Sequence, residues 1–176
     1  MNVQLFIPCF IDQLYPQVAF NMVKVLEKVG CTVKYNPNQT CCGQPAFNAG
    51  FWSESKSVCD KFLDDFNGTD YIVAPSASCT GFVRNYYGKL YENSAQINIA
   101  KKTSARIYEL SDFLINILKI DDVGATFNGK VTYHDSCAAL RECNVKTEPR
   151  KLLSKVKGLE LVEMNDVETC CGFGGS

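Results

Sequence analysis

The residues best able to do chemistry are two copies of one tetrapeptide, Thr40-Cys41-Cys42-Gly43 and Thr169-Cys170-Cys171-Gly172. Adjacent cysteines seldom bond to each other, because a disulfide needs Cα atoms about 4.4–6.8 Å apart and suitably opposed Cβ vectors. Two neighbouring thiolates offered to one multi-metal site explain the pair better. The glycine that follows gives the backbone access to positive φ, or lets it pass close to a bulky inorganic group. One such motif could arise by chance in a chain with ten cysteines; two with the same preceding threonine point to a shared task. A thiol–disulfide enzyme using the vicinal pair is the weakest alternative, since that disulfide is strained and the sequence has no C-x-x-C.

The elements that must position these thiols can be read in order. Residues 3–8 are an apolar run that predicts a buried first strand with Cys9 at its carboxyl end. Asp12 and Pro16 signal a helix whose apolar face is Leu14, Val18, Met22, Val25, Leu26 and Val29, closed by Gly30. Residues 31–35 alternate as a second strand, and the turn 36–38 delivers Cys41 and Cys42. Ser53 is the expected cap of a helix burying Val58, Cys59, Phe62, Leu63 and Phe66. Residues 71–75 predict a third strand, followed by a small-residue loop at 76–81 that carries Cys79. Next come an aromatic helix face within 80–93, a longer helix over about 104–119, and a linker at 120–129. A strand at 131–133 leads to Cys137, a helix spans 149–156, and an alternating strand at 159–164 precedes Cys170 and Cys171.

The order strand, cysteine, helix, strand, turn, Cys-Cys-Gly thus occurs twice. Cys9 and Cys137 are 128 positions apart and Cys41 and Cys170 are 129 apart, the mark of an internal duplication. The expected fold class is α/β: a Rossmann-like parallel sheet flanked by helices. It is built from two pseudo-repeated units, residues 1–122 and 123–176, the second incomplete at its C-terminal end. By that offset the counterpart of Cys79 falls near position 208, past residue 176, so the chain reads as a shortened form of a protein of about 240 residues. In open α/β sheets the ligand crevice lies at the carboxyl ends of the strands, which places Cys9, Cys41, Cys42 and Cys79 along one edge.

Composition narrows the chemistry. With 46% hydrophobic and 21% charged residues in 176, the chain can bury a core. A formal net charge of −1 gives no basic stripe for nucleic acid. There is neither an 18-residue apolar run nor a signal peptide, so a cytoplasmic protein without a membrane span is expected. Ten cysteines in such a chain argue for metal or redox use rather than disulfides. Four thiolates on one edge suit iron in an iron–sulfur cluster, or zinc. The long spacings, 31 residues between Cys9 and Cys41 and 36 between Cys42 and Cys79, disfavour a zinc ribbon and a small ferredoxin.

The pattern Cys9…Cys41-Cys42-Gly43…Cys79, repeated as Cys137…Cys170-Cys171-Gly172, resembles the cysteine-rich CCG domain family. That family includes the cysteine-rich component of heterodisulfide reductase and the iron–sulfur subunits of glycolate oxidase and anaerobic glycerol-3-phosphate dehydrogenase. The phrases Thr40-Cys41-Cys42-Gly43-Gln44-Pro45, Ser78-Cys79, His134-Asp135-Ser136-Cys137 and Cys170-Cys171-Gly172-Phe173-Gly174-Gly175 are most similar to its lactate-utilisation branch. The resemblance implies an iron–sulfur redox subunit that transfers electrons in the oxidation of a 2-hydroxy acid, foremost L-lactate to pyruvate, together with other subunits of a lactate or glycolate oxidation complex. It implies a [4Fe–4S] cluster on Cys9, Cys41, Cys42 and Cys79, with Cys137, Cys170 and Cys171 as a partial second set that does not complete a cluster. The alternative is a non-catalytic zinc-binding scaffold subunit. In the five-cysteine form of the motif another cysteine follows three residues after Cys79; here that residue is Phe82, which leaves four ligands.

His134 reads either as a ligand or hydrogen-bond donor at the second set, or as a structural bond at the strand end. Arg141 reads as a charge-neutralising or partner-binding residue, or a solvated one. Cys31 and Cys59 read as core, and Cys143 has no assigned role.

Overall fold

Short β-branched and aromatic segments pair side by side in the computed structural model, which describes residues 1–173. Gly174, Gly175 and Ser176, the end of the second motif, lie outside the described residues. Strands β1 (Asn2–Leu5), β2 (Thr32–Tyr35), β3 (Tyr71–Ala74) and β4 (Ile107–Glu109) form a parallel sheet in the order β2-β1-β3-β4. Parallel neighbours need long crossovers. These are helices α1 (Cys9–Leu14) and α2 (Pro16–Lys28), then α3 (Gln44–Asn48) and α4 (Trp52–Asp65), then α5 (Ala77–Asn85) and α6 (Ser94–Ser104). Because successive strand side chains alternate in direction, the sheet has two apolar faces. Phe6, Ile72 and Ala74 pack with Phe62, Phe66, Phe82 and Tyr87 on one. Val3, Leu5, Ile7 and Val73 pack with Met22, Leu26 and Phe113 on the other. The parallel sheet flanked by helices is the fold class expected from the sequence.

After α7 (Leu110–Asp112) and a wider helical turn at Phe113–Ile117, the chain forms a second, two-stranded parallel sheet. Its strands are β5 (Thr126–Val131) and β6 (Lys157–Leu161), connected through a wide turn at Ala138–Glu142 and helix α8 (Thr147–Ser154). The pairs Asn2↔Thr32 and Val3↔Val33 of β1 and β2 reappear 128 positions later as Lys130↔Glu160 and Val131↔Leu161.

Several local expectations are corrected. The first predicted helix is two helices broken at Tyr15, and Leu14 and Val18 face solvent while Met22 and Leu26 are buried. The loop expected at 76–81 is the first half of α5, so Cys79 stands in a helix rather than a loop. Ser53 lies inside α4 and bonds Glu54 instead of capping. The helix expected over 104–119 is interrupted at its start by β4: Ile107 is buried, pairs with Ile72, and its carbonyl accepts from Arg84 Nε at 2.8 Å. A fully buried β-branched residue with a strand waiting beside it outweighs helical periodicity. Helix α6, unpredicted, starts from Asn93, whose side chain accepts the Ala95 N–H. The expected linker 120–129 contains the start of β5, and the strands and helix beyond it begin a few residues earlier than read from the sequence.

Candidate metal centre

β1, β2 and β3 each end toward the same edge, and each is followed by cysteine. Cys9 opens α1, Cys41 and Cys42 lie just before α3, and Cys79 sits in the first turn of α5. The thiols meet as a chain of contacts. Cys9 Sγ donates to Cys41 Sγ at 3.5 Å, and Cys42 and Cys79 lie near enough to Cys41 for each thiol to act on the titration of the others. Cys42 is buried, Cys41 and Cys79 half-buried, Cys9 exposed.

The electrostatics differ from one thiol to the next. Cys41 accepts from Cys42, from the Gly43 N–H at 3.4 Å and from Cys9, and these donors hold its thiol down to about 5. The bond from Cys42, with help from the Ser76 and Ser78 hydroxyls, also lowers Cys79. The donors keep their protons: the bonds to Cys41 and Cys79, together with burial, push Cys42 well up, and burial pushes Cys9 up to about 11. Gly43 adopts φ +90°, which an L side chain rarely tolerates.

The second set has the same local geometry at its cysteine pair. Gly172, at φ +77°, directs its N–H at Cys170 Sγ at 3.5 Å. That bond, with one from Cys137, lowers the Cys170 thiol. Cys170 and Cys171 are exposed, and Cys137 is half-buried. The loop before Cys170 is tied to the segment that follows β5: Asp135 N–H donates to Val167 O at 2.9 Å, and His134 Nε2 bonds Thr169 O at 2.7 Å. His134 thus binds the backbone of the residue that precedes the second cysteine pair. Arg141 lines an open recess with Asp166, Glu168 and Thr169, and its positive charge acts on Cys170. Cys31 and Cys59 are core, and Cys143 is buried with its thiol on Ala77 O at 3.3 Å.

Three residues that the sequence reading passed over hold the first pair. Gln39 clamps the loop to the end of β1, accepting from Ile7 N–H at 2.7 Å and donating to Leu5 O and Asn36 O. Ser55 Oγ donates to Gly43 O at 3.0 Å, and Tyr87 OH to Cys42 O at 2.8 Å. A glutamine two residues before a cysteine pair was the only one of these with any sequence signal.

A cavity of about 330 Å³ opens beside Cys9 and Cys41, lined also by Asp12, Gln13, Tyr35 and Thr40. Among the described residues no group of three or more His, Cys, Asp or Glu side chains is drawn together so as to hold one metal ion. A single zinc needs its thiolates about 2.3 Å from one point. A cluster takes each thiolate on a different iron, so it needs its four cysteines spread around it rather than aimed at one point.

A parallel α/β fold with cysteines after successive strands defines a cysteine-rich α/β domain, and comparison with known proteins makes the class specific. The CCG cysteine-rich domain model matches residues 3–84 and 131–176, and the chain belongs to that family. Within it, the chain is 43% identical to lactate utilization protein A of Geobacillus kaustophilus over 176 residues, all of this chain and 74% of the relative. It is 41% identical to the lactate utilization protein A of Bacillus subtilis over the same span and share. It is 43% identical to that of Halalkalibacterium halodurans, covering 72% of it. Among the described residues no helix is long and apolar enough to cross a membrane.

Proposed function

We propose that the chain is an iron–sulfur electron-transfer subunit in the oxidation of a 2-hydroxy acid, L-lactate to pyruvate, and that Cys9, Cys41, Cys42 and Cys79 hold its [4Fe–4S] cluster. The observation that carries this is the placement of those four cysteines after β1, β2 and β3 at the carboxyl edge of one parallel sheet, with Cys9 and Cys41 in thiol contact. The substrate follows from the names of the relatives. Bound there, the cluster supplies one-electron acceptance and release. The chain's own part is to bind and shield. Cys42 is buried, Cys41 and Cys79 are half-buried and Cys9 is exposed, so the set runs from core to solvent, and the N–H of Gly43 is directed at the Cys41 sulfur. Lactate is an anion, and the neighbouring cavity is lined by the acidic Asp12 and by Cys41, whose thiol is lowered, with no basic side chain among the described residues of its lining. Like charges repel, which supports a carrier that relays electrons while another subunit of the complex removes hydrogen from the substrate.

Cys137, Cys170 and Cys171 form the partial second set of this reading. Residues 1–122 and 123–176 are then two CCG units, a division supported by the shared strand register and the matching Cys-Gly contacts.

Anaerobic purification followed by iron, sulfide and zinc analysis and EPR tests the proposal. The expected result is about four irons and four sulfides per chain, lost in Cys41→Ser and Cys42→Ser. Zinc alone, with no iron taken up on anaerobic reconstitution, overturns it and leaves a zinc-binding scaffold.

A further inference from the structure

The peptide between Cys42 and Gly43 is gripped from inside the core. Tyr87 is completely buried, and its ring lies edge-on to Phe62 and Phe82 at centroid distances of 5.4 and 5.6 Å. In that packing the hydroxyl donates at 2.8 Å to the Cys42 carbonyl, which the Cys59 thiol also approaches at 3.8 Å. Ser55, completely buried on α4, takes the next carbonyl, that of Gly43. With both carbonyls turned inward, the Gly43 N–H faces outward to the Cys41 sulfur. The fit leaves no slack: a Cβ on Gly43 would meet the Ser55 carbonyl oxygen at 3.1 Å and its Oγ at 3.2 Å. Three elements distant in sequence thus set the direction of one two-cysteine turn.

We infer that Tyr87, aided by Ser55, is a positioning residue of the first thiol set, fixing the Cys42–Gly43 peptide so that Cys41 and Cys42 present their sulfurs together. This rests on the metal-binding reading of that set. Groups that orient ligands without touching the metal typically contribute about 10–100-fold to affinity. A purely structural tyrosine would contribute to stability alone. Tyr91 supplies the comparison. It belongs to the same buried cluster and its hydroxyl makes an equally short bond, 2.8 Å, but to Asp60 rather than to the cysteine turn.

The test is an anaerobic cobalt(II) titration of the full chain, followed by thiolate-to-cobalt charge-transfer absorption, with Cys41→Ser marking the share of the band that belongs to the first set. Tyr87→Phe keeps the ring and removes only the hydroxyl. It is expected to weaken that share about 10–100-fold, with Ser55→Ala weakening it in the same direction. Tyr91→Phe is expected to bind cobalt as the parent does, even where thermal unfolding shows both tyrosine variants to be comparably destabilised. Equal affinity in Tyr87→Phe and the parent, or an equal loss in the Tyr87 and Tyr91 variants, overturns the positioning role. Where the parent gives no thiolate–cobalt band but takes up iron and sulfide on anaerobic reconstitution, the same comparison is read on iron bound per chain; a parent that takes up neither cobalt nor iron removes the metal reading itself, and the positioning role with it.

Discussion

At the scale of single residues, the chain separates its ten cysteines by environment rather than by sequence neighbourhood. Cys41 and Cys42 are adjacent, yet one is the acceptor of several donors and the other a buried donor, and their thiols move in opposite directions. The thiolate is the nucleophile. In metal-free protein at pH 7, iodoacetamide is therefore expected to label Cys41 ahead of Cys9, which is pushed up to about 11, and ahead of Cys59 and Cys143, which burial pushes up to about 12 and 11. Peptide mapping by mass spectrometry reads the order, and labelling of Cys9 first would contradict it. Because Cys41 lies below its unfolded value of 9.0, its contribution to metal-free stability is complete above that value and lost as pH falls through about 5. Gly43 and Gly50 make a second residue-scale contrast. Both have positive φ, +90° and +84°, but only Gly43 has atoms crowding the space a Cβ would take. Gly50→Ala is expected to cost the backbone strain alone, about 1–2 kcal/mol. Gly43→Ala is expected to cost more, measured by urea denaturation.

Among elements, α5 has the largest role in joining the parts of the chain. Its first turn holds Cys79, its middle packs against the turn that follows Cys137, and its end donates from Asn85 Nδ2 to Glu142 O and Oε2 at 2.9 and 2.8 Å. The close approach depends on Gly81, where a Cβ would come within 2.5 Å of the Glu142 Cβ. Gly81→Val is expected to overpack this contact and cost about 1–3 kcal/mol. A variant with an unchanged denaturation midpoint would show that α5 and the turn can separate freely. Element identity was legible where burial and period agreed, as in α2, α4 and β3. It was not legible at β4, because a three-residue strand has too little sequence to show a period and owes its conformation to pairing with β3. Nor was it legible at α6, where a weakly amphipathic segment is helical through its cap and its packing on the aromatic core.

Over the whole molecule, the segment from β5 onward carries its own polar anchor. Asp135 is almost fully buried and takes two bonds from Arg150, at 2.6 and 3.1 Å; Arg150 also pairs with Glu163 and lies over Tyr133. Removing one partner of a buried ion pair leaves an uncompensated charge, at a cost of about 3–5 kcal/mol. Arg150→Ala is expected to lose about that much, and hydrogen exchange should locate the loss in β5, α8 and β6 while β1 to β4 stay protected. Equal loss of protection in both sheets would instead show one cooperative unit, joined through Asn85–Glu142 and through Asn116 and Glu148.

The sequence by itself determined the order of thiols and strands, the parallel α/β class, and the relation between the two Cys-Cys-Gly motifs, because glycine, paired cysteines and apolar runs each restrict the chain locally. Tertiary structure alone decided which carbonyls those motifs turn inward and which thiols keep their protons. Tyr87 lies 45 positions from Cys42 and meets it only once the helices have packed on the sheet. A hydroxyl's partner is set by where its ring is buried, and that is a property of the assembled core rather than of any stretch of sequence.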